Sequence, residues 1–441
     1  MLLAPLERGC RALAEEIPSV PEIDAPELAR LGPYGVGYRT LTLEQPGQVD
    51  VLATDPLTGK APRVTRRLIV DLWYPARSSS PASAPSETAA PRIRYQGEMP
   101  SEPPRAPARF SVPGIAMADA PPAPLSGAPL VIVSHGYSNV TAALSWVTEN
   151  LASKGYVVAA IRHQDPPIGD AAKVVGLLLR RPLDIAFVAA ELARRGRSSD
   201  PVLSRTDAQR VALLGYSMGG YGVLTAAGAQ LSPGSAPVRA VPGGALAPYA
   251  AGGAHARDVL VENLRAVVAI SPYGGAAASA AWGAEGLARL RVPMLLIVGD
   301  HDERVGFEGV RTIFQQAIHA PRYLLVFENA AHSIGLDPAP AAMREQLWDF
   351  DWFEDPVWRA RRVNAVNLHF ITAFLDRFVK NEADRANYLD VAPAIAAEGK
   401  WPEHVSGGYA AYSPGGDGLT WRGFQRRHVA GLELHRAAAL P

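Results

Sequence analysis

Arg210-Val211-Ala212-Leu213-Leu214 runs directly into Gly215-Tyr216-Ser217-Met218-Gly219-Gly220, and Tyr221-Gly222-Val223-Leu224-Thr225-Ala226-Ala227 follows. An apolar β run, a G-x-S-x-G and a helical stretch in that order predict a sharp strand-to-helix turn. Such a turn exposes the serine hydroxyl and leaves the next backbone N–H able to bind an oxyanion. The flanking glycines are required because the turn is too crowded for a side chain. G-x-S-x-G alone occurs by chance in many chains. Its place between strand and helix makes Ser217 the candidate nucleophile.

Outward from this turn the same alternation repeats. Pro129-Leu130-Val131-Ile132-Val133-Ser134, Gly155-Tyr156-Val157-Val158-Ala159-Ala160-Ile161, Arg265-Ala266-Val267-Val268-Ala269-Ile270, Val292-Pro293-Met294-Leu295-Leu296-Ile297-Val298 and Tyr323-Leu324-Leu325-Val326-Phe327 are apolar runs. Runs of this kind suit strands buried on both faces of a parallel sheet. Helical patterning lies near 141–153, 180–196 and 305–318, and from Val363 to Val379. Strand and helix alternating from about 129 to 380 predict a doubly wound, mostly parallel α/β sheet with helices on both faces. Upstream, Tyr38–Glu44 and Arg66–Pro75 alternate with period two and flank the turn signal Asp55-Pro56-Leu57-Thr58-Gly59. They predict two antiparallel strands.

The expected organisation is a helical lead-in at 1–31, one catalytic domain at 32–380, and a C-terminal extension at 381–441 packing on the core. Within the domain, the Pro/Ser/Ala-rich stretch 77–126 reads as a long surface loop. The Gly/Ala-rich stretch 228–256 reads as an insertion over the site. In the tail, Trp421-Arg422-Gly423-Phe424 and Gly431-Leu432-Glu433-Leu434-His435 read as a last strand pair or extended segment.

The 441 residues carry 43 basic and 43 acidic side chains, so the formal net charge is zero. Nucleic acid would want a basic stripe, and none is present. No apolar run approaches the roughly 18 residues of a membrane span. Cys10 is the single cysteine, which excludes an intrachain disulfide and reads as a spare thiol rather than a nucleophile. Met1–Gly9 lacks a basic region followed by an apolar core, so no signal peptide is visible. The compartment is not legible: a cytoplasmic protein and an exported one with its leader removed would read alike. Oligomeric state is not legible.

A serine hydroxyl needs a base, and an imidazole base needs a carboxylate to orient it. On a doubly wound sheet the order is Ser, then Asp or Glu, then His, each after the carboxyl end of a strand. One run ends in Gly299-Asp300-His301-Asp302 and another in Glu328-Asn329-Ala330-Ala331-His332-Ser333. Asp302 is the expected acid, with Asp300 its competitor and a helix-capping role the plainer alternative for Asp300. His332 is the expected base. The oxyanion donors are the backbone N–H groups of Met218 and, from Ser134-His135-Gly136-Tyr137-Ser138, of Tyr137. His135, Tyr216, Tyr273 and Trp282 are candidate substrate contacts, and Trp348-Asp349-Phe350-Asp351-Trp352-Phe353 a candidate wall. His135, His163, Asp165, His301 and Asp302 lack compact metal-ligand spacing, so no metal is expected.

With these residues in place the chain resembles the α/β-hydrolase superfamily. More closely it looks like bacterial predicted dienelactone hydrolases grouped with platelet-activating-factor acetylhydrolase. Gly32-Pro33-Tyr34-Gly35-Val36-Gly37, Leu72-Trp73-Tyr74-Pro75-Ala76, Val133-Ser134-His135-Gly136, Gly155–His163 and the serine turn carry the likeness, over roughly 32–380. The resemblance implies carboxylic-ester hydrolysis through an acyl-enzyme, without cofactor. Plasma-type acetylhydrolases take their acid one strand earlier, where this chain has Ile270-Ser271-Pro272-Tyr273 and no carboxylate. Dienelactone hydrolases use cysteine where Ser217 stands. The serine turn and the acid placement also resemble bacterial cutinases and polyester hydrolases, which keeps small and polymeric esters both in view. A peptidase or amidase would need a site for the leaving amine. A non-catalytic binding protein on this fold would usually have lost a triad member, and all three candidates survive.

Overall fold

The computed structural model describes residues 16–55, 57–77, 91–168, 171–399, 421–424 and 428–441. Among these residues eleven strands form one sheet: β1 Gly35–Val49, β2 Arg63–Ala76, β3 Arg92–Met99, β4 Ala108–Ala118, β5 Ala128–Ser134, β6 Val157–Arg162, β7 Thr206–Tyr216, β8 Leu264–Ile270, β9 Met294–Gly299, β10 Arg322–Phe327 and β11 Leu432–Ala437, in spatial order 11-10-9-8-7-5-6-2-1-4-3. From β6 to β10 every neighbouring pair is parallel. β2 joins β6 antiparallel and β1 joins β2 antiparallel, as the period-two alternation predicts. A mixed sheet of this order, covered by helices, fits an α/β-hydrolase fold.

Alternate side chains of the parallel strands face opposite layers, because successive Cβ atoms of a strand point to opposite faces. Val131 and Val133 pack under helices α1 (Ser145–Ser153) and α5 (Ala360–Phe378). Leu130 and Ile132 pack under α2 (Leu177–Arg195), α3 (Met218–Ala226) and α4 (Phe307–Gln316). The strands carry no polar face because neither face meets water.

Two expectations are corrected. Residues 92–118 are not loop: β3 and β4 pair antiparallel and extend the sheet beyond β1. Composition hid a period-two pattern, in which Tyr95, Met99, Phe110, Val112 and Ala116 are buried at alternate positions. Gly97 belongs to it, since a Cβ there would lie 2.3 Å from the Phe110 ring. The buried Glu149 carboxylate of α1 clasps β4, accepting from the Ile115 and Ala116 N–H groups and from Tyr95 Oη. The remainder of that stretch, 78–90, lies outside the described residues.

The 228–256 stretch buries Leu231, Val238, Val241, Leu246 and Ala250 in the core layer of α2 and α3. Its backbone is tied to the segment after β8 through Ser232 N–H to the Ala281 carbonyl. Among its described residues the tail supplies one strand, not a pair. β11 lies antiparallel on β10, while Trp421 and Phe424 sit in a turn and bury their rings beside α5. Of the 1–31 lead-in, residues 1–15, with Cys10, lie outside the described residues. Glu27–Ala29 is a single turn of 3₁₀ helix. Among the described residues no helix is long and apolar enough to cross a membrane.

Candidate active site

The parallel register aligns the carboxyl ends of the strands: Ser134 lies beside Gly215, Tyr216 beside Ile270, and Gly299 beside Phe327. Loops leaving these ends therefore meet along one edge. Ser217 follows β7, Asp302 follows β9 and His332 follows β10.

Ser217 has φ 53° and ψ −114°, a region that side chains rarely adopt and that costs of order 1–3 kcal/mol. The surrounding glycines are spatially required. A Cβ on Gly219 would lie 1.9 Å from the Ser134 carbonyl oxygen, and one on Gly215 would lie 2.3 Å from that of Gly219. The turn is held by Ser217 N–H to the Ile270 carbonyl and by Tyr273 N–H to the Ser217 carbonyl. Met218 opens α3, where the first backbone N–H groups have no intrahelical acceptor.

His332 Nε2 lies 3.1 Å from Ser217 Oγ, and His332 Nδ1 lies 2.8 Å from Asp302 Oδ2. The other oxygen of Asp302 accepts the N–H groups of Arg304 and Val305. The Asp302 side chain is fully buried and that of His332 is 17% exposed. Burial by itself raises the Asp302 carboxyl, but the hydrogen bond and charge of His332 and the Val305 N–H outweigh it and hold it below the ordinary carboxylate value. An ionised carboxylate only accepts, so His332 carries its proton on Nδ1 and turns the Nε2 lone pair toward Ser217.

Asp300 faces away from this array. Its Oδ1 accepts from the Asn329 N–H and pairs with His301 Nδ1, which ties the β9 loop to the β10 loop. Its position two residues from Asp302 gives it a structural bond rather than a contact with His332.

Of the four proposed substrate contacts, three are buried supports. Tyr216 stacks on His332 with ring centroids 5.2 Å apart and donates to the His332 carbonyl. His135 is buried, its Nδ1 on the Gly136 carbonyl and its Nε2 accepting the His163 N–H. Trp282 stacks on Tyr221 behind α3 and donates to Thr225 Oγ1. Aromatic character alone did not separate a wall from a core ring. Tyr273 is half-buried beside the serine turn. Tyr137 is half-buried too, with its hydroxyl on the Pro167 carbonyl. Within 348–353 Phe353 is fully buried edge-on to Phe110, whereas Leu347 just before it is 74% exposed. That segment is tied to the site through Ser333 Oγ and the Asp351 carbonyl.

Sequence reasoning missed a buried polar network below the Ser134–Ser138 loop. Arg181 on α2 donates to the carbonyls of His135 and Gly136 and to Asp165, whose carboxylate also accepts the Ser138 N–H. Ser134 Oγ, His163 and Asp184 form a second linked row at 2.9 and 3.0 Å, with Arg66 bidentate on Asp184. A signal for it existed: Arg181 stands four residues from both Leu177 and Ile185, on the stripe of α2 that faces the core. His135 and His163 are bonded to this loop. Among the described residues no group of three or more His, Cys, Asp or Glu is placed to hold a metal ion.

The fold and this edge define an α/β-hydrolase-like protein with a Ser–His–Asp row. Residues 122–250 match the model of the PET hydrolase-like family. Over 97 residues the chain is 34% identical to cutinase est1 of Thermobifida alba, which covers 21% of this chain and 28% of that protein. It is 35% identical over 97 residues to cutinase 2 of Thermobifida cellulosilytica, covering 21% and 32%, and 33% identical to a cutinase of Thermobifida fusca, covering 21% and 28%. The aligned part thus spans less than a third of the length of these relatives. The chain resembles α/β-hydrolases of the polyester-hydrolase and cutinase kind, and such relatives are carboxylic ester hydrolases.

Proposed function

We propose that this protein is a serine carboxylic-ester hydrolase working through an acyl-enzyme. The observation that carries the reading is the row Ser217 Oγ, His332 Nε2, His332 Nδ1 and Asp302 Oδ2, with links of 3.1 and 2.8 Å. Ser217 Oγ attacks the ester carbonyl carbon while its proton passes to His332 Nε2. The imidazolium that forms is stabilised by the buried Asp302 carboxylate. The carbonyl oxygen becomes an oxyanion facing the N–H groups of Met218 and Tyr137. Collapse breaks the bond to the alkoxide, which leaves with the proton from His332. Water then attacks the acyl-enzyme, gives its proton to His332, and releases the acid and Ser217.

Within this class the substrate is a hydrophobic ester. The likeness to PET hydrolase-like proteins and cutinases favours polymeric or bulky esters over a phospholipid acetyl group. The exposed Leu347, in the segment bonded to the His332 loop through Ser333 Oγ and the Asp351 carbonyl, favours an open groove over a closed acyl pocket. Peptide or amide cleavage has no corresponding support.

A p-nitrophenyl ester series from acetate to palmitate, with Ser217→Ala as control, tests both levels. Serine-dependent turnover persisting into long chains is expected, with polyester film as the next substrate. Turnover confined to the shortest esters would overturn the open groove. No serine-dependent turnover and no fluorophosphonate labelling would overturn the hydrolase reading.

A further inference from the structure

Arg181 carries a charge into the interior. Its guanidinium is fully buried, and a buried charge is costly unless its hydrogen bonds are met. One anionic partner is present, Asp165 Oδ2 at 2.6 Å. Its other acceptors are backbone: the His135 carbonyl at 2.7 Å and the Gly136 carbonyl at 3.2 Å. The Gly136 carbonyl also receives His135 Nδ1 at 2.7 Å and the Asn139 N–H at 3.3 Å.

The His135 proton is fixed by its surroundings. Its Nε2 takes a hydrogen bond from the His163 backbone N–H, so Nε2 is unprotonated. Burial, with the neighbouring Arg181 and His163, pushes the imidazole well below its ordinary value. The ring is therefore neutral with its proton on Nδ1, donating to Gly136. Three donors thus converge on one carbonyl.

That carbonyl belongs to the Gly136–Tyr137 peptide unit, which is trans. In a trans unit the C=O and N–H point in opposite directions. Holding the Gly136 carbonyl toward α2 therefore aims the Tyr137 N–H the other way. The loop passes directly by the nucleophile, since a Cβ on Gly136 would lie 3.3 Å from Ser217 Cβ.

We propose that Arg181, with His135, is a positioning residue of the oxyanion site: it locks the Gly136–Tyr137 peptide so that the Tyr137 N–H is preorganised for the tetrahedral oxyanion. This rests on the ester-hydrolase reading above. A donor locked before reaction needs no reorganisation as charge develops, which is where such sites gain their effect. Arg181 touches no reacting atom. Its loss acts on the transition state and leaves substrate binding alone.

Arg181→Met and His135→Phe, in the full chain, are compared with wild type on p-nitrophenyl butyrate, with turnover expressed per serine titrated by fluorophosphonate. Arg181→Met is expected to lower kcat by about 10- to 100-fold, less than the 10²–10³ of losing a donor outright, with KM within about twofold. Affinity for an alkyl boronic acid, whose tetrahedral adduct presents an oxygen to the same donors, should fall by the same factor. His135→Phe removes one of the three donors and should show a smaller loss of the same kind. A purely structural role would lower the melting midpoint and leave kcat per titrated serine and the boronate affinity unchanged. That result in either folded variant, or a change confined to KM, overturns the proposal. Should Arg181→Met not fold, His135→Phe decides it alone. A wild type that neither labels nor turns over would overturn the hydrolase reading and this inference with it, whereas an active wild type beside equally active variants overturns the inference only.

Discussion

His332 Nε2 lies 3.1 Å from Ser217 Oγ although 115 residues separate the two in the chain. The contact exists because β7 and β10 run parallel in one sheet and end along one edge. Both side chains are carried by short loops leaving those ends, and Tyr216 beneath them stacks on the imidazole and holds the His332 carbonyl.

Ser217→Ala should abolish turnover and leave the thermal midpoint nearly unchanged, because alanine keeps the strained backbone. Ser217→Gly should also be inactive but more stable than Ser217→Ala by about 1 kcal/mol, since glycine adopts a positive φ without penalty. Thermal melts of the two variants check this, and equal midpoints would show that the turn stores no strain.

Asp302→Asn is expected to cut kcat by about 10³–10⁴, by disturbing the imidazole tautomer and withdrawing the charge opposite the imidazolium. Asp300→Asn should change kcat by less than about tenfold, because its carboxylate holds the Asn329 N–H and not His332. Steady-state kinetics of both variants separate the two carboxylates, and the reverse order of losses would transfer the acid role to Asp300.

Trp282→Phe should destabilise the fold by roughly 1–3 kcal/mol, through the lost bond to Thr225 and reduced packing on Tyr221. The chain-length profile of ester turnover should stay as in wild type. Tyr273→Ala, at the half-buried position beside the serine turn, should shift that profile. A profile moved by Trp282→Phe would restore Trp282 as a substrate contact.

His163 supplies a pH signature. Burial and the nearby Arg181 lower it to about 4, against the upward pull of Asp184. Between about pH 6.5, where an unfolded histidine titrates, and pH 4, the unfolded chain binds a proton that the folded chain refuses. The stability His163 contributes is therefore complete above about pH 6.5 and is lost as pH falls toward 4, by at most about 3 kcal/mol. His163→Gln should be less stable than wild type at pH 8, and that gap should narrow on acidification. Denaturant midpoints of both proteins at pH 8, 6 and 4.5 measure it, and a constant gap would mean that His163 titrates normally.

The six parallel strands, the helices between them, and the meeting of Ser217, Asp302 and His332 in one row were legible from sequence. Each depends on a local pattern: long apolar runs, glycines where a Cβ would collide, and chemistry at the first polar loop after a strand. β3 and β4 were not legible, because proline and alanine masked a period-two pattern that only pairing with β1 makes informative. β11 was legible as an extended segment at 431–435, but its pairing with β10 was not, since an edge strand needs its partner before its register has meaning.

What the sequence by itself determined was therefore the order of elements and the chemical types brought to one sheet edge, since hydrophobic periodicity and glycine sterics act over a few residues. Only the tertiary structure decided which aromatics are walls and which are core, as Trp282 and Tyr216 illustrate, because burial depends on neighbours from distant segments. It also decided that Arg181, placed on the core-facing stripe of α2, meets the carbonyls of His135 and Gly136. A buried charge is tolerated only where partners remote in the chain satisfy it, and no local pattern carries that information.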